Sequence, residues 1–481
     1  MIPFDPAKFD FSVEEVLSAA KAGRLLSAEI EFNRSCNYRC PYCYAAGSHE
    51  NEELPADAAE SAIRQVAALG ARKIVVLGGE PLLCKKLRHY IELISSLGMG
   101  AEVFTNGSLI TPEWAEFFRE HGSRVVVKLN SLRPDVQERL TGVPGALDKA
   151  LHALDTLQQA GFDRDMLAAS SVISTENESE VADLWRHLRR RGVKPCLEIL
   201  TPQGRLLENR RLEVDPHRLK EIFDEIAAFD RGLGFDWEPQ PPLVGAKCLR
   251  HQYSCVINVN GDVTPCVGVT IVVGNILQTP LEEILRTSNV FTHLKSYREM
   301  IKGPCQKCER ADSCYGCRGA AYQLTGDYLA SDPLCWKNCD ELLHRPPALP
   351  FDASEWIPHR PPMVMVTKVV SIGEESLIEA EIAPDNRFLR NGLLDTEVLP
   401  EIVAQACAAV SGFEEDDHDL KGMLTGMRNV KLAPGARGGE RLTVTIRGTA
   451  RIDNYHTLVF RVTRPNGEEC ASGELAICRI D

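Results

Sequence analysis

The run Glu31 to Ala45, EFNRSCNYRCPYCYA, sets Cys36, Cys40 and Cys43 at C-x3-C-x2-C spacing, directly after an apolar stretch, Ala28 to Phe32, that reads as a strand. Three thiolates this close can hold one face of an iron-sulfur cube and leave the fourth iron open to a ligand from outside the chain. A closed zinc site is the alternative. It takes four ligands in paired spacing, and the next cysteine, Cys84, lies far downstream. The spacing points to a cluster with an exchangeable position at the end of a strand.

A second run, KIVVLGGEP from Lys73 to Pro81, is another β-rich stretch that ends in Gly78, Gly79, Glu80 and Pro81. Together the two stretches resemble the radical S-adenosylmethionine (SAM) superfamily. The resemblance implies that the open iron chelates SAM, that Tyr42 lies against the adenine, and that the Gly-Gly-Glu-Pro strand end receives the SAM amino group. The paired glycines would let the cofactor approach the main chain. Thr105-Asn106-Gly107 resembles the family's TNG strand end, and a plain turn accounts for it equally well. VKLNSL, Val127 to Leu132, resembles the strand end that contacts SAM ribose and carboxylate, with Lys128 and Asn130 in place of the usual Ser and Asp, and Ser131 following.

Length and composition bound the rest. At 481 residues and 44% apolar content, the chain suits about two to four folded domains. A formal charge of -14 argues against nucleic acid as a partner. The basic run Arg186 to Arg191 reads as a solvated helix end before Gly192. Met1 to Arg24 lacks a basic start followed by an apolar core, so no signal peptide is expected, and no apolar run is long enough to span a membrane. Seventeen cysteines without a secretory signal point to metal ligation in a reducing, cytoplasmic setting. Cys84, Cys196, Cys407, Cys470 and Cys478 stand singly and read as small buried hydrophobes.

From Ala28 onward, strand and helix patterns alternate through Leu200, which predicts a parallel sheet with right-handed crossovers and its site at the strand C-termini. The expected fold class is α/β: a partial (β/α)6 barrel, a cysteine-rich extension and a C-terminal α+β hotdog domain. The expected boundaries are a helical extension at 1–27, the barrel at 28–233, the auxiliary-cluster region at 234–343, a Pro-rich linker at 344–355 and the hotdog at 356–481.

The cysteine-rich region runs Cys248-x6-Cys255, then Gly261-x4-Cys266, then Cys305-x2-Cys308-x5-Cys314-x2-Cys317, then Cys335 and Cys339. It resembles the SPASM extension of radical SAM enzymes, which implies two auxiliary four-iron clusters. By that resemblance Cys248, Cys255, Cys266 and Cys317 hold the first, and Cys305, Cys308, Cys314 and Cys335 the second, with Cys339 a rival to Cys335. A zinc ribbon on Cys305, Cys308, Cys314 and Cys317 would leave the other cysteines without a purpose.

Beyond the linker, Trp356 to Val366 resembles the entry segment of hydroxyacyl carrier-protein dehydratases, and EIVAQACA, Glu401 to Ala408, resembles their central helix, with Glu401 the expected catalytic acid. The family's base falls at Arg387, before Phe388, and an arginine cannot take a proton. His359 reads as a structural residue of the entry motif. Glu401 is therefore expected to lack a partner, and the domain to bind acyl groups or dimerise without dehydrating.

The resemblance implies an enzyme that cleaves SAM to a 5′-deoxyadenosyl radical and abstracts hydrogen from an acyl thioester or carrier-bound substrate. A peptide or protein maturase is the alternative, although only thirty-five residues precede Cys36, little room for a leader-binding domain. An iron-sulfur electron carrier is a reading of another class, for which the Gly-Gly-Glu-Pro run and Tyr42 have no use. Expected partners are a flavodoxin or ferredoxin reductant, an acyl carrier protein or peptide, and a second copy of the chain through the hotdog.

Overall fold

The structure is a computed structural model; it describes residues 2–45, 53–240, 248–312, 314–342, 349–373, 375–415, 421–433, 436–452 and 454–480. Residues 344–348 of the expected linker lie outside the described residues. The chain forms two compact units, Met1–Leu343 and His344–Asp481.

In the first unit, six parallel strands lie in sequence order: β1 (Ser27–Glu31), β2 (Lys73–Leu77), β3 (Gly100–Thr105), β4 (Arg124–Lys128), β5 (Leu167–Ile173) and β6 (Lys194–Ile199). The crossovers carry α2 (Ala56–Ala68), α3 (Leu87–Ser96), α4 (Pro112–Glu120), α5 (Pro134–Thr141), α6 (Ala146–Gln159) and α7 (Val181–Arg191), preceded by α1 (Val13–Lys21). The cysteine-rich region continues the same sheet past β1. There β7 (Val256–Ile257) pairs in parallel with β1, and β8 (Asp262–Thr264) and β9 (Gly274–Asn275) follow antiparallel.

Strand parity sorts the chemistry, because alternate side chains face opposite sides. Ala28, Ile30, Ile74, Val76, Val103, Val125 and Val127 face outward into a core with α2, α3, α4 and α6. The register puts Glu29, Lys73, Glu102, Arg124, Lys128, Ser170 and Glu198 on the inner side. Buried charges are costly unless paired, and these are paired: Lys73 to Glu102 at 2.6 Å, Arg124 to Glu102 at 3.3 Å and to Asp10 at 2.7 Å, and Lys128 to Glu198 at 3.4 Å.

The second unit is one antiparallel sheet of seven strands around an apolar helix, Leu399–Glu415. In chain order they are β10 (Phe351–Asp352), β11 (Val366–Ser371), β12 (Ser376–Glu381), then, after a small separate ribbon of β13 (Leu389–Arg390) and β14 (Leu393–Leu394), β15 (Lys421–Leu432), β16 (Arg441–Ile452), β17 (Tyr455–Thr463) and β18 (Glu469–Ile480). Ile402, Val403, Ala406, Ala409 and Val410 of the helix share the core with Val369, Ile378, Val444 and Phe460 of the sheet. The strand order β10-β11-β12-β16-β17-β18-β15 leaves β15 at an edge. Among the described residues no helix is long and apolar enough to cross a membrane.

Candidate active site and cluster sites

The cysteine loop leaves the C-terminal end of β1 and is pinned from three sides. Gly79 N donates to Asn33 O at 2.9 Å and Glu80 N to Ser35 O at 2.8 Å, which extends the β1–β2 pairing into the loop. A Cβ on Gly79 would stand 2.2 Å from Ser35 O, and one on Gly78 would stand 2.4 Å from Asn33 O. The glycines thus serve the approach of two backbone segments. Arg39 N donates to Thr141 O at the end of α5. From the turn after β6, Arg205 N donates to Cys43 O and Asn209 Nδ2 to Pro41 O, both at 3.1 Å.

Removal from water raises Cys36 to about 11 and Cys40 to about 12, and the charge of Cys43 adds to both. Three thiols that repel one another's ionisation need a cation to become thiolates together, which is what cluster irons supply. The donor set therefore fits the expected cube.

Glu80 and Asn130 both carry contacts that brace the cysteine loop. Glu80 is fully buried; its carboxylate accepts from Leu82 N at 3.1 Å, the Thr105 hydroxyl at 2.7 Å and Asn106 N at 2.7 Å. Asn106 in turn donates to Asn37 Oδ1 at 2.8 Å inside the cysteine loop. Glu80 and the Thr105-Asn106 turn thus form a strut between β2, β3 and the loop. Burial raises the Glu80 carboxyl, opposed by these donors. Asn130 donates to the Tyr42 hydroxyl at 2.8 Å and accepts from Val172 N at 3.0 Å. Ser131 donates to Glu180 at 2.5 Å. Lys128 Nζ stands 3.2 Å from Ser170 Oγ and 5.7 Å from the Tyr42 ring centre. Pro81 is buried at the start of a short 3-10 turn.

Cys305, Cys308, Cys314 and Cys335 line one cavity of about 330 Å3. Amide N–H groups already point at their sulfurs: Asn338 Nδ2 to Cys305 at 3.1 Å, Gly316 N to Cys314 at 3.3 Å and Arg310 N to Cys308 at 3.5 Å. Cys339 lies elsewhere, with its sulfur 3.4 Å from His217 Nε2 and 3.7 Å from Asp340. Of the two rivals, Cys335 joins the set and Cys339 does not.

At the other auxiliary site, Val269 N reaches the Cys266 sulfur and Ala320 N the Cys317 sulfur, each at 3.3 Å, and the Tyr315 hydroxyl stands 4.0 Å from Cys248. The charges of Cys248 and Cys266 both act on Cys317. Cys255 is not brought to them, against the expectation; it is fully buried in the outer core of the barrel.

In the second unit, His359 Nε2 lies 3.2 Å from Glu401 Oε1, and Gln405 Nε2 donates to the same oxygen at 3.0 Å. Gln405 also bonds Met363 O at 2.9 Å and Met365 N at 3.0 Å, fixing the entry segment to the helix. His359 Nδ1 is buried without a partner among the described residues. The expectation that Glu401 lacks a titratable partner is corrected: the histidine comes from the entry motif, while Arg387 is exposed and stacks over Phe388 at 5.5 Å.

Comparison with known proteins agrees with this division. Residues 30–188 match the model of the radical SAM superfamily, 248–317 that of the SPASM iron-sulfur cluster-binding domain, and 351–481 that of the ApeP dehydratase. The AdoMet-dependent heme synthase of Methanosarcina barkeri is 27% identical over 348 residues, 66% of this chain and 98% of that protein. The Fe-coproporphyrin III synthase of the same organism is 26% identical over 369 residues, 64% of this chain and 87% of that one. In fold, the SAM-bound crystal structure of Streptococcus suis SuiB matches with a TM-score of 0.54 at 16% identity, covering 65% of this chain and 78% of the other. The chain thus carries a radical SAM domain followed by a SPASM iron-sulfur cluster-binding domain. To these it adds a C-terminal hotdog-type domain related to the ApeP dehydratase.

Proposed function

We propose that this enzyme reductively cleaves SAM and abstracts hydrogen from an acyl thioester presented on a carrier protein, using one SAM-binding cluster and two auxiliary clusters. The observation that carries the substrate class is the second unit, whose central helix sets Glu401 against His359 in a domain related to a thioester dehydratase. A cluster on Cys36, Cys40 and Cys43 with SAM supplies one-electron cleavage to methionine and a 5′-deoxyadenosyl radical. The protein holds that loop rigid through Gly79, Thr141 and Arg205, and lines the barrel interior with Lys128, Ser170 and Glu198 to position a polar substrate. His359 and Glu401 are a titratable pair within proton-transfer reach, as acid-base work on a β-hydroxyacyl group requires.

A reductant such as flavodoxin or ferredoxin would deliver the electron. A second copy of the chain would cover the edge of the hotdog sheet, because β15 exposes Met423, Leu424, Met427 and Leu432 there, and an unpaired apolar edge invites pairing. A second reading, that the first unit serves tetrapyrrole synthesis like the relative named heme synthase, is favoured by the match across 98% of that relative.

The deciding experiment supplies reduced, anaerobically reconstituted protein with SAM and, in turn, an acyl carrier protein thioester, an iron porphyrin and a short peptide. Release of 5′-deoxyadenosine should rise with the thioester, accompanied by a change in acyl mass. A rise with the porphyrin alone selects the second reading, and a rise with the peptide alone selects a maturase. Iron should number about twelve per chain, three cubes of four. Alanine at Cys36, Cys40 and Cys43 should remove about four of these and all SAM cleavage.

A further inference from the structure

Cys339, set apart from the cavity of Cys335, stands in a donor group of its own. His217 lies in the first turn of α8 (Pro216–Gly232), where Asp215 caps the helix and accepts from His217 N at 2.8 Å. Cys339 and Asp340 open the helical turn Cys339–Leu342. Apolar packing brings the two segments together without help from the donors. Trp336 shares a core with Leu219, Ile222 and Phe223 of α8 and meets the Phe223 ring edge-on at 5.7 Å. Cys339 N then donates to Cys335 O at 2.8 Å, which fixes the turn that follows Trp336.

Three donor atoms converge there. His217 Nε2 is 3.4 Å from Cys339 Sγ and 2.7 Å from Asp340 Oδ1, and Sγ is 3.7 Å from the same Oδ1. A proton relay through a histidine uses both ring nitrogens, one for the nucleophile and one for the carboxylate. Here thiol and carboxylate both address Nε2, so the geometry is not that of a relay. A tetrahedral zinc, with bonds of about 2.0 Å to nitrogen or oxygen and about 2.3 Å to sulfur, spaces its donors about 3.3 Å apart for N to O and about 3.6 Å for either to S. Both distances to sulfur already lie within about 0.2 Å of that spacing. The N to O pair has only to open, and both side chains are exposed, 51% for His217 and 83% for Asp340. Cys339 is buried and closes the inner side. The charge of Asp215 also reaches both Cys339 and His217, and among the described residues Asp340 has no lysine or arginine partner.

We propose that His217, Cys339 and Asp340 form a mononuclear site for a divalent ion of the zinc class, separate from the iron-sulfur centres, with water as the outer ligand. A thiolate and an imidazole together select zinc over magnesium or calcium, and the solvent-facing side lets the ion enter after folding. The ion ties the first turn of α8 to the segment that carries Cys335 and Asn338, whose amide donates to the Cys305 sulfur. It is a clasp on the wall of the second auxiliary cavity, to which α8 also contributes Lys220 and Asp224.

The test uses the full-length, anaerobically reconstituted protein, equilibrated with zinc chloride and then gel-filtered. Elemental analysis should find about one zinc per chain beside an unchanged iron content, and X-ray absorption at the zinc edge should show one sulfur at about 2.3 Å among nitrogen and oxygen at about 2.0–2.2 Å. His217→Ala and Asp340→Ala alter exposed side chains and should each lose most of the zinc with the iron unchanged. Cys339→Ser should lose it as well, and any residual zinc should show no sulfur. A protein that retains no zinc overturns the proposal. So does zinc undiminished in any of the three variants, and so does zinc surrounded by two or more sulfurs, which is metal taken up by the cluster cysteines.

Discussion

Glu80→Gln separates a structural role from a cofactor role at the Gly-Gly-Glu-Pro strand end. Glu80 is fully buried, and its two oxygens accept from Leu82 N, the Thr105 hydroxyl and Asn106 N, the last two at 2.7 Å. Glutamine keeps one acceptor and turns an NH2 toward the other position. If the NH2 replaces Oε2, the bond from Asn106 N is lost and two donors face each other. A bond to a charged acceptor contributes about 1.5–3 kcal/mol, and an unpaired buried donor costs a further 1–3 or so. Against this, glutamine escapes the desolvation that raises the Glu80 carboxyl. The balance is a loss of about 2 kcal/mol, which at an m-value of about 2 kcal/mol/M lowers the urea midpoint by about 1 M. Urea unfolding of the cluster-free chain, followed by far-UV circular dichroism, reads this directly. Glu80→Ala leaves all three donors unpaired and should cost about twice as much. A Glu80→Gln protein with the wild-type midpoint and no measurable SAM binding would refute the reasoning, because the carboxylate would then be serving the cofactor and not the strut.

Three further outcomes follow from the same geometry. Glu102→Gln leaves Arg124 and Lys73 buried without their shared counter-charge and should destabilise the first unit by about 3–5 kcal/mol in urea unfolding; a loss under about 1 kcal/mol would show that water reaches the pair. Asp10, which burial raises but Arg124 and Lys194 pull down further, is lowered from 3.8 to about 2. It therefore contributes stability above pH 3.8 that is lost as pH falls toward 2. Asp10→Asn should flatten the acid limb of a stability-against-pH curve across that window, and an unchanged limb would count against the pairing. In the second unit, the full-length protein should dehydrate a β-hydroxyacyl thioester, with His359→Gln and Glu401→Gln each abolishing this while SAM cleavage persists. Thioester binding without dehydration by the unchanged protein would restore the binding-module reading.

The cluster loop, the Gly-Gly-Glu-Pro run and the alternation of strands and helices were legible because each is local: ligand spacing, turn chemistry and periodicity all act within a few residues. What holds the loop was not legible. Thr141, Arg205 and Asn209 reach it from about a hundred residues or more away, and no periodicity marks a backbone donor that meets another segment only after folding. The inner charges were hidden for a different reason. Lys73, Glu102 and Arg124 fall at alternate strand positions, a pattern that a lone sheet would expose to water and that only a curved sheet encloses. Cys255 was expected among the ligands by its position in the cysteine-rich run, whereas its strand parity puts it in the outer core, which spacing does not register. His359 was discounted because the base was sought by its distance from Glu401 in sequence, whereas the fold brings the partner from the entry segment.

The two departures from the family strand end, Lys128 and Asn130, form one rearranged unit. Asn130 gives one N–H to the Tyr42 hydroxyl and takes Val172 N on its oxygen, so it spans the cysteine loop and β5 at once. An aspartate there could accept both bonds but would place an unpaired charge in a fully buried position. Lys128, nearby on β4, is already balanced by the half-exposed Glu198, whose carboxyl desolvation raises but Lys128 and the hydroxyl of Ser170 pull below its ordinary value. The neutral amide at position 130 and the cation at position 128 are therefore consistent with each other. One keeps Tyr42 fixed without adding charge, and the other presents a positive end beside the Tyr42 ring.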